Sequence, residues 1–146
     1  MQIKIKKLFS TAKIPIRADE GSVGYDLYAH IPEGHIHIFP NETCLIDTGI
    51  ATEIPNGYWG GIYARSGLAC KHGLRPANCT GVIDSSYRDS IKVALHNDNE
   101  RKYGKIRHGD RIAQLIIHKC ENTEFVEAEA LSETERGIGG FGSSGR

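Results

Sequence analysis

Apolar and polar residues alternate through most of this chain, the period of a strand with one buried face. The run Met1-Gln2-Ile3-Lys4-Ile5-Lys6-Lys7 alternates apolar with charged, so residues 2–9 are read as a first strand and not as a signal peptide. Pro15, Gly21 and Gly24 mark residues 11–24 as a loop, and 24–29 form a short strand with Asp26 inside it. His35-Ile36-His37-Ile38 alternates again after a turn at Pro32 and Gly34. Residues 43–54 are β-rich and broken at Gly49, Pro55-Asn56-Gly57 signals a hairpin, and 58–64 follow as a strand. Further strands are expected at 91–96 and 112–118, the latter apolar but for Gln114. Residues 97–105 read as a polar loop and 125–127 as one more candidate strand. Only 65–73 changes character: Ser66 suits an N-cap and Gly73 a helix stop, so one helix of about two turns is expected. Many short strands between turn signals indicate an all-β sandwich or barrel.

Composition narrows this picture. The chain has 146 residues, enough for one domain with a real core, and 39% hydrophobic with 25% charged residues is globular. Eighteen basic and 18 acidic residues cancel, which gives no support to a nucleic-acid partner. No apolar run approaches a membrane span, so no membrane partner is expected. Cys44, Cys70, Cys79 and Cys120 form no CxxC pair and read as free thiols in a reducing, cytoplasmic compartment. His35 and His37 share a strand face, as metal ligands can, but no third ligand completes a site, and an exposed polar edge is the preferred reading.

The chemistry concentrates in Asn78-Cys79-Thr80-Gly81-Val82-Ile83-Asp84-Ser85-Ser86-Tyr87-Arg88-Asp89, a turn running into a strand. A strand would place Asp84 and Tyr87 on opposite faces, whereas a bend at Ser85-Ser86 would return both to one pocket. Two readings stand: a plain hairpin with Tyr87 in the core, or a pocket with Asp84 as a base. The last residues, 137–146, are almost all Gly and Ser. They read either as a disordered terminus or as a segment that closes on phosphate through its glycines, with Phe141 as a flat face for a base.

Five segments taken together resemble one family. They are Ser22-Val23-Gly24-Tyr25-Asp26-Leu27-Tyr28-Ala29, Arg65-Ser66-Gly67-Leu68-Ala69, Gly81-Val82-Ile83-Asp84-Ser85-Ser86-Tyr87-Arg88, Gly109-Asp110-Arg111-Ile112-Ala113-Gln114-Leu115 and Arg136-Gly137-Ile138-Gly139-Gly140-Phe141-Gly142-Ser143-Ser144-Gly145. In this order and spacing they resemble the five motifs of the trimeric deoxyuridine triphosphate nucleotidohydrolases (dUTPases). The resemblance implies a jelly-roll-like (β-clip) barrel with one short helix, assembled as a homotrimer with active sites between subunits. It also implies a dUTP diphosphatase that splits dUTP into dUMP and pyrophosphate with Mg2+, keeping uracil out of DNA and supplying dUMP for dTMP synthesis. A barrel domain at 1–131 and a glycine-rich arm at 132–146 follow from the same likeness.

The residue roles are those the resemblance implies. Asp84 would deprotonate the attacking water and hold the sugar 3′-hydroxyl. Tyr87 would exclude a ribose 2′-hydroxyl, a selection by clash. Asn78 and the backbone through Gly81, Val82 and Ile83 would pair with the uracil edge. Arg65, Ser66, Gly67 and Gln114 would hold phosphate oxygens, with Ser66 near the leaving oxygen. Asp26 would reach the magnesium through water. From the arm, Phe141 would stack over uracil while Arg136, Gly142, Ser143 and Ser144 close on the phosphates. The sequence departs from the family at Ser86, usually acidic, at Asp89-Ser90, usually Gly-Glu or similar, and at Ser144, usually Thr. Two rival readings are a dCTP deaminase-like enzyme and a regulatory nucleotide-binding protein on the same scaffold. A deaminase needs an acid/base Glu where this chain has Ala94, expected to be buried. A degenerate regulatory member would have lost Asp84, Tyr87 or the arm.

Overall fold

The structure is a computed structural model and describes residues 1–140. It contains eleven strands and one helix: β1 (Lys4–Lys7), β2 (Tyr25–Tyr28), β3 (His35–Ile38), β4 (Thr43–Asp47), β5 (Ile50–Glu53), β6 (Tyr58–Tyr63), α1 (Ser66–His72), β7 (Leu74–Pro76), β8 (Gly81–Ile83), β9 (Lys92–Asn97), β10 (Gly104–Arg107) and β11 (Arg111–Lys119). All pairings are antiparallel. A four-stranded sheet runs β2-β11-β6-β8 and a three-stranded sheet runs β4-β9-β7, with β1-β5 and β3-β10 as two-stranded ribbons. The architecture is the expected all-β, jelly-roll-type barrel.

Alternation places the core. In β9 the inward positions Val93, Leu95 and Asn97 are buried, and in β10 Gly104 and Ile106 alternate with exposed Lys105 and Arg107. Leu27, Ile38, Ile50, Leu95, Ile106 and Ile112 come from separate strands and meet at the centre with almost no exposure. Each such side chain contributes roughly 1.5–3 kcal/mol by burial. Two polar side chains at the same depth are both bonded: Thr48 donates to the Ile91 carbonyl at 2.6 Å, while the Asn97 amide donates to the Ile38 and Lys102 carbonyls at 2.9 Å each and its oxygen accepts from Asn99 N–H.

Four local readings are corrected. The N-cap position belongs to Arg65, not Ser66: Arg65 is extended (φ −88°, ψ 124°) and its carbonyl accepts the first helical bond, from Ala69 N–H at 2.9 Å. No side chain caps the helix, so the Ser66 hydroxyl is not consumed there. The helix stop at Gly73 holds, with φ 65° and its N–H bonded to the last carbonyls. β7, after that stop, and β10, which begins at the end of the expected polar loop, carry no apolar alternation, because one of the two inward positions in each is Pro76 or Gly104. Residues 125–127 form no strand; Phe125 is 96% exposed and has no neighbouring strand in its own chain to pair with.

Candidate active site

The phosphate-type residues gather where β2, β11 and the start of α1 meet. A cleft of about 310 Å³ is lined by Asp26, Arg65, Ser66, Gly67, Arg111 and Gln114. Asp26 organises it. One of its carboxylate oxygens accepts from Arg65 Nε at 2.9 Å, and the other from Arg111 at 3.2 Å. With Asp26 largely shielded from solvent, both guanidinium groups are held at the cleft by charge-assisted bonds. Gln114 is positioned as firmly: its amide donates to the Ala64 carbonyl at 2.8 Å, and its side chain lies across Gly24. A Cβ at Gly24 would come within 2.2 Å of Gln114 Oε1, so a side chain there would evict it.

Positions 111 and 114 of an ideal strand face opposite ways. Here the β2–β11 register shifts between Arg111 and Ala113, a bulge that leaves Ile112 and Ala113 both buried and returns Arg111 and Gln114 to the same cleft. Sequence reasoning did not assign Arg111 a role. The bulge has no signature in the residue pattern, and the only hint was its place in the Gly-Asp-Arg run.

The second cluster sits at the opposite end of the same sheet. β7 and β8 belong to different sheets, and the corner between them is 77–80. Cys79 adopts φ 59°, a strained value for a non-glycine residue, and Thr80 N–H bonds Asn78 O at 2.6 Å. Asn78 is exposed; a Cβ at Gly81 would lie 3.5 Å from its Nδ2 and 3.1 Å from Ile62 Cβ, so glycine lets both neighbours close in. Beyond β8 the chain turns, with Tyr87 N–H bonded to Asp84 O at 3.1 Å, which is the bend expected at Ser85-Ser86. Tyr87 is not a core residue: its ring is 36% exposed, and its hydroxyl donates to Ser90 O at 2.9 Å. Arg88 folds back onto the Ser85 and Tyr87 carbonyls at 2.6 and 3.0 Å. Asp84 is exposed and lines a separate groove of about 570 Å³ with Asn56, Trp59 and Ser86.

The unusual pair Asp89-Ser90 has a structural part in this turn. Asp89 Oδ1 accepts Ser90 N–H at 2.7 Å, a bond that, with the Lys92 ammonium, holds its carboxyl below the ordinary value. Buried Ser90 donates its hydroxyl to Asp47 and offers its carbonyl to Tyr87. Asp89 does not adopt a positive φ, so a non-glycine residue sits there without backbone strain.

The two clusters lie well apart within one chain. Gln114 pairs with Tyr63, while Gly60 pairs with Ile83, one residue before Asp84. That offset amounts to ~13 Å along β6 and ~10 Å across two strand spacings, so the Cα atoms of Asp84 and Gln114 lie roughly 16 Å apart. Arg136 is exposed and bonds Gly139 O at 2.9 Å in a local turn, and it is not among the residues lining the cleft. Phe141, Gly142, Ser143 and Ser144 lie outside the described residues. Ala94 is half-buried on β9 rather than buried, and carries no proton-transfer group in either case.

As a metal cage the cleft is poor. Among the described residues no three His, Cys, Asp or Glu side chains gather, and Asp26 is the only acid in the lining, with both oxygens engaged. That donor set suits a cation that arrives on a polyphosphate with its own water better than one caged by the protein.

An all-β barrel whose cleft presents two guanidinium groups, a hydroxyl and an amide, apart from an exposed carboxylate beside a tyrosine, has the donor set of a protein that holds a polyphosphate. The sequence model of the dUTPase family matches residues 10–145. Among curated relatives, the deoxyuridine 5'-triphosphate nucleotidohydrolase of Nautilia profundicola is 47% identical over 146 residues, covering 100% of both chains. That of Finegoldia magna is 46% identical over 145 residues, covering 99% of each. Among solved structures, the dUTPase of Staphylococcus bacteriophage 80alpha with dUPNHPP superposes with a TM-score of 0.85 at 29% identity, covering 99% of both chains. The chain belongs to the dUTPase family.

Proposed function

We propose that this chain hydrolyses dUTP to dUMP and pyrophosphate in sites shared between subunits of a homotrimer. The observation that carries the shared site is the separation just given: the Cα atoms of Asp84 and Gln114 lie roughly 16 Å apart, whereas a positioned base works within hydrogen-bond reach of its target. A neighbouring chain can supply the missing half. Val23, Ile14 and Tyr25 are 69%, 50% and 38% exposed around an apolar depression that also reaches the buried Thr52 hydroxyl, which has no partner among the described residues, a surface suited to burial against another copy.

In this reading Asn78 and the Gly81-Val82-Ile83 backbone hold uracil, and Tyr87 packs on the deoxyribose with its ring fixed by the Ser90 bond. Asp84 orients a water on the α-phosphorus and takes its proton as the new P–O bond forms. The bond from the α-phosphorus to the bridging oxygen breaks, and pyrophosphate leaves. Arg65, Ser66 and Gln114 stabilise charge on the phosphate oxygens, and Asp26 keeps Arg65 and Arg111 aimed. Magnesium bound to the triphosphate supplies charge neutralisation. Residues 132–146, carrying Arg136, Phe141, Gly142, Ser143 and Ser144, form an arm that closes over the nucleotide and excludes water.

Deamination of dCTP has no support in the site, since Ala94 offers no proton relay. Among the described residues no helix is long and apolar enough to cross a membrane. The test is pyrophosphate release from dUTP, UTP, dTTP and dCTP with magnesium and with chelator. The reading expects release from dUTP alone, abolished by chelation; release from dTTP or UTP at a comparable rate would overturn the specificity it assigns.

A further inference from the structure

Arg65 and Arg111 line two spaces at once. One is the cleft with Asp26. The other is a groove of about 670 Å³ between α1 and the 99–106 segment, floored by Leu68, Leu74 and Ile106. Its charged rim is lopsided: Arg65, Lys71, Lys102, Lys105 and Arg111 face a single acid, Asp110, in a chain whose overall charge is zero. Asp110 is already engaged, accepting Arg107 N–H at 2.8 Å. Lys71, Lys102 and Lys105 are exposed, and none forms an ion pair among the described residues. The Lys105 charge is felt by its surroundings: it is the main cause holding the His35 imidazole below its ordinary value.

An apolar floor under one sign of charge focuses the field outward and concentrates oppositely charged ligands. Because two of its five cations also belong to the phosphate cleft, whatever is drawn into the groove is delivered there. We propose that this groove is an approach path for the triphosphate of dUTP, which Lys71, Lys102 and Lys105 attract and hand to Arg65 and Arg111. The inference rests on the reading of the chain as a dUTP hydrolase. It adds three residues that touch no reacting atom and act on capture, not on the chemical step.

The test is the triple variant Lys71→Glu/Lys102→Glu/Lys105→Glu beside a control of equal net charge, Lys4→Glu/Lys6→Glu/Lys7→Glu on β1. At about 10 mM ionic strength, where the Debye length is roughly 30 Å, the groove variant should lose about tenfold or more in kcat/KM with kcat unchanged. At about 1 M salt, where screening acts within roughly 3 Å, the gap should close. The control should track the wild type at both. Circular dichroism and melting check folding; if the triple variant does not fold, Lys102→Gln/Lys105→Gln should show the same salt-dependent loss, about threefold. An unaffected groove variant, an equal loss in the control, a fall in kcat, or a gap that survives high salt would each overturn the approach path. A wild-type chain that does not hydrolyse dUTP would overturn the function instead, so the two failures are separable.

Discussion

The two ends of the β2-β11-β6-β8 sheet are built on different principles. At the β2–β11 end, Asp26 ties Arg65 and Arg111 together by side-chain bonds, and Gln114 is anchored beside them on the Ala64 carbonyl. At the β8 end, Asp84 projects from a turn braced around it, with Tyr87 and Arg88 donating to backbone carbonyls and Ser85 to Asn56, while the Asp84 carboxylate itself has no side-chain partner among the described residues. The first end is a prearranged cradle whose donors wait for charge. The second presents a carboxylate in the open and depends on something else to surround it. No rearrangement short of breaking the sheet brings the ends together, which is why the proposed reading draws the two halves of a site from different copies of the chain.

The sharpest way to break that comparison is at the base. Asp84→Asn should lower turnover by roughly 10²–10⁴-fold while nucleotide binding persists, as measured by steady-state kinetics and calorimetric titration with a non-hydrolysable analogue. Near-normal turnover would mean that the exposed carboxylate has no catalytic part. At the cradle, Gly24→Ala should displace Gln114 and lower kcat/KM by about tenfold, the worth of roughly one charge-assisted bond. Tyr87→Ala should narrow the preference for dUTP over UTP, read as the ratio of the two kcat/KM values. Tyr87→Phe should keep the ratio and cost about 1 kcal/mol of stability at most. An unchanged ratio in Tyr87→Ala would reduce Tyr87 to packing.

The smallest effect concerns acid. The Asp89 carboxyl is lowered in the folded state by Ser90 N–H and Lys92. A depressed folded pKa adds stability above the ordinary carboxylate value, 3.8, which is lost as pH falls through the folded value. Asp89→Asn should therefore melt slightly lower than wild type near neutrality, and the two melting curves should converge in strong acid. A gap that grows on acidification would reverse the sign and refute the assignment.

The same contrast explains what could be read from the chain. β3, β4 and β9 were legible because each alternates over several residues against the core. The turn after β8 was legible because Ser85-Ser86 punctuates it. β7 and β10 were not, since each turns only one bulky apolar side chain inward, Leu74 or Ile106, and its other inward position is Pro76 or Gly104, which read as loop residues. Arg111 was hidden by the bulge at Ile112, which depends on β2 and not on local residue type. Residues 125–127 look like a strand because Phe125 and Val126 are apolar, yet no strand of their own chain pairs with them.

Complementation tests the shared site most directly. Asp84→Asn and a chain cut after Glu135 should each be nearly inactive alone, one lacking the base and the other the arm. Unfolded together and refolded into mixed trimers, they should regain activity, because some sites then draw Asp84 from the truncated chain and the arm from the Asp84→Asn chain. Mixed trimers proven by mass spectrometry that regain no activity would contradict the account.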